Sequence, residues 1–348
     1  MHPDMKSSEP ESTQAKPPAL ARPVDFVKKV GKGKTLSQHL SQAESQQAFT
    51  ALLDGAFTSA QAGAFLQALR IKELTQEELD ALVGVFQGRT APRPPLSGSK
   101  SLVLNLSSDT ARKGGLASLL AAHLLRRFGV GVGLIRSTPV LSGNRASFDG
   151  TWGLTEILDP AGSAFPSQGS VAAATVLVDC GTLVKGLAAM DALRGELGFR
   201  SCLHTAEKLV NPWQRSPMLL GISHKHYALR MAGTMAALGL EGRILLGNHG
   251  TVDLVLHKET EMVSVIGGRL QEESISPASL GLEIASDIYA LGKFPQWRAW
   301  LTEPRDNGLL RAVQYHLAVF LWAAGVAPDA VAGLAATRQA IPRLFQED

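Results

Sequence analysis

Arg112 and Lys113 stand directly before the glycine pair Gly114–Gly115 in SLVLNLSSDTARKGGLASLL, Ser101 to Leu120. An apolar run, a short polar turn and a helical pattern follow one another there, which puts both cations at a helix start. That end of a helix exposes unpaired N–H groups and partial positive charge, so cations cost about 0.3–1 kcal/mol unless an anion or solvent compensates them. Backbone amides, bare glycines and two cations together suit a phosphate group. Two side chains extended into water account for the same residues.

Further cations recur elsewhere. In RSCLHTAEKLVNP, Arg200 to Pro212, His204 and Lys208 are spaced i, i+4 and project from one helical face. On a solvated face Glu207 would partly neutralise Lys208. Lys28, Lys29, Lys32 and Lys34 surround Gly31 and Gly33 in FVKKVGKGK. Lysines on a flexible chain can track a phosphodiester backbone through counterion release without reading bases, and a solvated face is the plainer account. Phe26 is the only aromatic residue near them for stacking. His224 and His226 in HKHY supply two nitrogens without further convergent ligands, which fits a polar turn or phosphate contact better than a metal site. Phe294, Trp297 and Trp300 read as packing residues.

The elements positioning these groups follow from pattern. A chain of 348 residues, 45% apolar and 19% charged, buries a large core and has room for two structural units; a net charge of +3 permits an anionic partner without requiring one. Cys180 and Cys202 lack CxxC or other close Cys/His spacing, so free thiols in a reducing cytoplasm are expected, with no metal held by them. Neither an export signal nor a membrane span is expected. Residues 1–22 are rich in Pro, Ser, Glu and Lys and read as a disordered tail. From Pro23 to Gly88 apolar residues recur at helical spacing, with caps at Thr58 or Ser59 and at Thr75, the last followed by Glu78 at i+3. Thr90–Ser99 reads as a linker. Beyond it, apolar runs at Leu102–Leu106, Val130–Ile135, Thr175–Val178, Met218–Ile222, Arg243–Leu246 and Glu261–Val265 alternate with helical stretches. The pattern predicts an α/β class fold with a mainly parallel sheet. Gly181–Pro212 has the composition of a helical pair rather than a strand.

Three segments resemble successive stretches of the anthranilate phosphoribosyltransferase family: DGAFTSAQAGAFLQALRIKELTQEEL (Asp54–Leu79), GTLVKGLAAMDALRGELGFRS (Gly181–Ser201) and ILLGNHGTVD (Ile244–Asp253). The resemblance implies the fold shared with pyrimidine nucleoside phosphorylases, a small all-helical domain beside a larger α/β domain, with a ligand cleft between them and homodimers formed through the helical domains. The implied division is residues 23–93 with 183–215 helical and 97–182 with 216–348 α/β. FVKKVGKGK, ARKGG (Ala111–Gly115) and RSCLHTAEKLVNP further resemble a second branch described as nucleic-acid-binding.

Departures from the enzyme pattern carry the functional expectation. NLSSDTARKGG replaces the glycine-rich GTGGD loop that wraps phosphoribosyl pyrophosphate, adding Cβ atoms where close approach needs none. Gly143–Asn144–Arg145 resembles the end of KHGNR, or is a surface turn. The adjacent Asp-Glu pair that the family uses for Mg²⁺ matches Val252 and Asp253, leaving one carboxylate, while His249 stands where the HGxDG turn has its acid. Arg200 matches the arginine near the aromatic substrate's carboxylate, Asn211–Pro212 match the closing NP, and RTxFNxLGPLxNP has become RSCLHTAEKLVNP. Two readings follow. The first is a homodimer binding nucleic acid without sequence preference, through phosphate contacts from Lys28, Lys29, Lys32, Lys34, Arg112, Lys113, Gly114, Arg200, His204 and Lys208, with no cofactor and no catalytic residue. The alternative is an active phosphoribosyltransferase or phosphorylase with an altered acceptor, in which Arg112 and Lys113 hold phosphate and Asp109 or Asp253 helps with Mg²⁺.

Overall fold

A computed structural model describes residues 22–33, 35–106, 116–137, 175–246, 250–285 and 308–341. The expectations for the tail at 1–21, for Lys34, Asp109, Arg112, Lys113 and Gly114, for Gly143–Arg145, for His249 and for Phe294, Trp297 and Trp300 fall outside those residues.

Four helices come first: α1 (Pro23–Val30), α2 (Gln42–Leu53), α3 (Ser59–Lys72) and α4 (Gln76–Arg89). Ser41, Thr58 and Thr75 cap the last three, each accepting a hydrogen bond from the backbone N–H of the third helical residue, so Thr58 and not Ser59 is the α3 cap. Their inward stripes include Phe49, Leu52, Phe65, Leu66, Leu69, Leu82 and Phe86, all buried. Gly186, at φ +91°, lies against Leu53, where an added Cβ would stand 2.1 Å from its carbonyl oxygen. The central segment thereby approaches α2 as closely as bare backbone permits.

The sheet has seven strands in the order β3-β2-β1-β4-β5-β6-β7. Strands β1 (Lys100–Leu106), β2 (Val130–Arg136), β3 (Thr175–Asp179), β4 (Met218–Ile222) and β5 (Gly242–Leu246) are parallel; β6 (Thr260–Ile266) and β7 (Arg269–Ile275) extend the sheet antiparallel. Six strands lie where their apolar runs predict. The seventh is an addition: RLQEESI is mostly exposed at a sheet edge, so it carries no buried run to mark it. Gly267 and Gly268, both at positive φ, form the hairpin turn joining it to β6.

Helices α5 (Leu116–Leu124), α10 (Leu309–Ala323) and α11 (Ala330–Ala340) belong to the elements whose buried residues share one core with Leu102, Leu104, Val132, Leu134 and Leu219. The opposite sheet face, through Val103, Ile135, Met218, Leu220 and Ile244, shares its core with α1–α4, with helix α9 (Lys225–Ala237) and with the central segment. That segment holds the single turn α6 (Cys180–Leu183) and the short helices α7 (Asp191–Leu197) and α8 (Cys202–Glu207). It is tied back to the chain leaving α4 by an isolated Thr90–Val184 bridge and an Arg93 N–H bond to the Pro212 carbonyl. A small helical unit therefore lies against a larger α/β unit with a mostly parallel sheet. No helix among the described residues is long and apolar enough to cross a membrane.

Candidate functional site

From β1 the chain builds β2 and β3 to one side and then β4 and β5 to the other. Where strand order reverses, the connections leave in opposite directions and open a crevice beyond the carboxyl ends of the strands. Here that point lies between β1 and β4.

The end of α8 is fastened over it. Asn105, buried near the end of β1, donates from Nδ2 to the Glu207 carbonyl at 2.8 Å and accepts from the Ser137 hydroxyl, just past β2, at 3.4 Å. Lys208, the C-terminal cap of α8, donates from Nζ to the Gly221 carbonyl at 2.6 Å and to the Gly250 carbonyl at 2.8 Å. Gly221 belongs to β4 and Gly250 to the turn after β5, so one ammonium group joins two segments bordering the crevice. Alongside, Arg136 forms a two-pronged ion pair with Asp179, linking the ends of β2 and β3.

Glu207 does not lie on a solvated helix face. It is fully buried and accepts from Arg194 Nη1 at 2.6 Å, with the Arg194 side chain only 1% exposed. His204 also departs from its expected cationic part. Its Nδ1 accepts from the Ser201 N–H at 3.2 Å as part of the α8 capping box. Burial first, then the positive charges of Arg194, Arg200 and Lys208, hold its pKa well below the usual histidine value. At neutral pH it is therefore an uncharged cap. Arg200 is exposed just before α8.

Asp253 is buried in the turn leading from Gly250 and accepts from the Ser118 hydroxyl in the first turn of α5 at 2.5 Å; its own N–H donates to Thr251 Oγ1 at 3.2 Å. Burial pushes the carboxyl up to about 6 against these hydrogen bonds. The Mg²⁺ implied by the family needs hard oxygen ligands from a pair of acids. Val252 has no side-chain oxygen, and Asp253 spends one oxygen on Ser118. The described residues supply one acid of that pair, and no group of three or more His, Cys, Asp or Glu able to hold a metal occurs among them.

The remaining candidates lie apart. Lys28 and Lys32 are exposed at and after the end of α1, whereas Lys29 is bound to Glu44 of α2 at 2.6 Å. His224 and His226 stack at 5.9 Å at the start of α9, and the intervening Lys225 pairs with Glu261 and Glu272 of β6 and β7. Both cysteines are free thiols; Cys180 is buried and Cys202 half-buried. The sequence reading missed Asn105, Ser118 and Arg194. Asn105 alone left a trace, a polar residue inside an apolar strand.

Residues 24–89 match the helical bundle domain of a glycosyl transferase family. An uncharacterized protein of Aquifex aeolicus is 30% identical over 303 residues, covering 86% of this chain and 92% of its own. The anthranilate phosphoribosyltransferase of Solibacter usitatus is 28% identical, over 72% of this chain and 73% of that one. In structure, the anthranilate phosphoribosyltransferase of Thermus thermophilus superposes with a TM-score of 0.69 at 23% identity, covering 92% of this chain and 96% of the other. With its helical bundle, its sheet order and relatives that span most of its length, the chain belongs to the anthranilate phosphoribosyltransferase-like glycosyl transferase family 3.

Proposed function

We propose that the crevice beyond β1 and β4 binds phosphoryl oxygens and that the chain is a phosphoribosyltransferase or phosphorylase with an altered acceptor, using phosphoribosyl pyrophosphate or phosphate. One observation carries the reading: a lysine ammonium fixed by two backbone carbonyls at the switch point of the sheet. The relatives named anthranilate phosphoribosyltransferase support the donor side. The buried Arg194–Glu207 pair and the capping role of His204, within the segment that departs from the family pattern, support a changed acceptor. Calorimetric titration with phosphoribosyl pyrophosphate and with orthophosphate tests it. Saturable binding of either is expected, and binding of neither removes the proposal.

A second reading, a nucleic-acid-binding homodimer in the cytoplasm, is favoured by the exposed Lys28 and Lys32 beside Gly31 and Gly33. It predicts that duplex DNA affinity falls with salt at a log–log slope of about −0.9 per neutralised phosphate. Lys28→Ala with Lys32→Ala should make that slope shallower. A salt-independent affinity, or none, counts against it.

A further inference from the structure

Apart from the crevice, we propose that the corner between α3 and α4 is a sprung clasp on α9: Arg230 and Tyr227 hold Glu73 in a strained backbone conformation, and the corner relaxes and parts from α9 when that hold is released, while the shared core stays closed.

The strain lies at one residue. Glu73, the C-terminal cap of α3, stands at φ +59° and ψ 154°, and among the described residues it is the only one other than glycine with a positive φ. That combination belongs to glycine, because a Cβ there crowds the neighbouring backbone. The path of the chain explains the demand. Helix α3 ends at Lys72 and Thr75 already caps α4, so Glu73 and Leu74 alone reverse the direction. Glycine is the usual occupant of a helix end that turns so sharply. A glutamate persists in this conformation only where its surroundings hold it.

Helix α9 supplies the hold. Arg230 donates from Nη1 to the Leu74 carbonyl at 2.9 Å, and the same atom pairs with the Glu73 carboxylate at 3.6 Å. The Tyr227 ring lies 6.0 Å from the Arg230 guanidinium, and burial, then the charge of Glu73, raises its pKa. Just past the corner, Gln76 donates from Nε2 to the Arg230 carbonyl at 3.1 Å and to Thr234 Oγ1 at 2.9 Å. On the α3 side, Lys72 donates to the Glu73 carbonyl at 3.0 Å.

These contacts are polar, and the Arg230 and Glu73 side chains are 37% and 48% exposed, so water can replace them. The apolar core that joins the helical unit to the sheet runs through Phe65, Leu82, Val103 and Met218 and includes neither Glu73 nor Arg230. The corner therefore has two arrangements. In one the contacts are made and Glu73 is strained; in the other Arg230 is solvated and Glu73 has returned to negative φ. Strain offsets part of what the contacts contribute, which brings the two arrangements close in free energy. The clasp is also within reach of the surface, because the exposed His226 ring lies 4.4 Å from that of Tyr227 in the first turn of α9.

The test is thermal unfolding of the full chain carrying Glu73→Ala or Glu73→Gly, each alone and with Arg230→Met. Both substitutions at Glu73 remove the carboxylate, and only glycine removes the strain. Glu73→Gly should melt about 2 °C or more above Glu73→Ala. With Arg230→Met the corner is already released and glycine has nothing left to relieve, so the gap should close or invert. Glu73→Gly melting no higher than Glu73→Ala would mean that no strain exists, and the proposal fails. A gap that survives Arg230→Met would mean that α9 does not hold the corner, and it fails again. Hydrogen exchange read by mass spectrometry needs no Arg230 variant and reports the opening itself. Peptides over residues 73–77 should exchange faster than the interiors of α3 and α4, and more slowly in Glu73→Gly than in Glu73→Ala. Exchange of that segment only as fast as the core overturns the inference.

Discussion

Asp253 and His316 hold the same turn and titrate with opposite sign. His316, buried in α10, donates from Nδ1 to the Ala312 carbonyl at 2.7 Å and accepts at Nε2 from the Leu254 N–H at 2.8 Å. Burial pushes its pKa down to about 4, so the folded chain resists protonating it; the stability it contributes is complete above the unfolded value near 6.5 and is lost as pH falls toward 4. Asp253, pushed up to about 6 by burial, binds its proton more readily folded than unfolded. Stability therefore falls as pH rises from about 4 to 6, by up to about 3 kcal/mol at 1.36 kcal/mol per unit. Asp253→Asn keeps an acceptor for Ser118 and abolishes that decline. Thermal melts across this range should show the variant gaining on the parent as pH rises, and a constant difference would contradict the assignment. His316→Phe leaves the Leu254 N–H without its acceptor and should cost about 1–3 kcal/mol at neutral pH. Its urea midpoint should fall, and its loss on acidification should be smaller than the parent's.

At the scale of elements, the α3–α4 corner is built around one carboxylate. Glu78 is completely buried and accepts from the Leu40 N–H at 2.8 Å, the Thr75 N–H at 2.9 Å and Lys72 Nζ at 2.5 Å, while Thr75 caps α4 in return. The Lys72 side chain is 6% exposed, so Glu78→Gln takes the counter-charge from a mostly buried ammonium, leaving it His39 Nδ1 and the Glu73 carbonyl, and should destabilise by about 3–5 kcal/mol, measured by urea unfolding. A cost near that of the cap alone, about 1 kcal/mol, would mean that Lys72 finds water instead. The Thr75–Glu78 spacing was legible in the sequence because a capping box is local. That Glu78 also anchors Leu40 was not, because 38 residues separate them. Strands follow the same division: the six with buried runs could be read from apolar alternation, and β7, polar and at an edge, was signalled only by Gly267–Gly268. At the site, the sequence marked Lys208 as a cation for a phosphate contact but gave no sign of the two carbonyls that hold it. Its carbonyl partners lie 13 and 42 residues away, and no spacing rule connects a lysine to backbone oxygens.

Across the whole molecule, one core joins both units. Phe49, Phe65 and Leu82 of the helical layer belong to the same buried cluster as Val103, Met218 and Ile244 of the sheet. Trp213, which ends the central segment, lies over β2 so closely that a Cβ on Gly133 would stand 2.3 Å from its ring. Two units sharing a buried core have no plane along which one can unfold and leave the other's apolar surface covered. A single calorimetric transition is therefore expected, with far-ultraviolet dichroism and tryptophan fluorescence changing together. Gly133→Ala should force the indole off the strand and lower that one transition as a whole. If the shared core were incidental, the same substitution would split the unfolding into two steps, the helical unit melting first. The argument bears on the crevice as well, because α8, which carries Lys208, is packed against α3 and α4 and reaches the sheet through Asn105. A variant that loosens the helical layer should weaken pyrophosphate binding without touching any residue that contacts the anion.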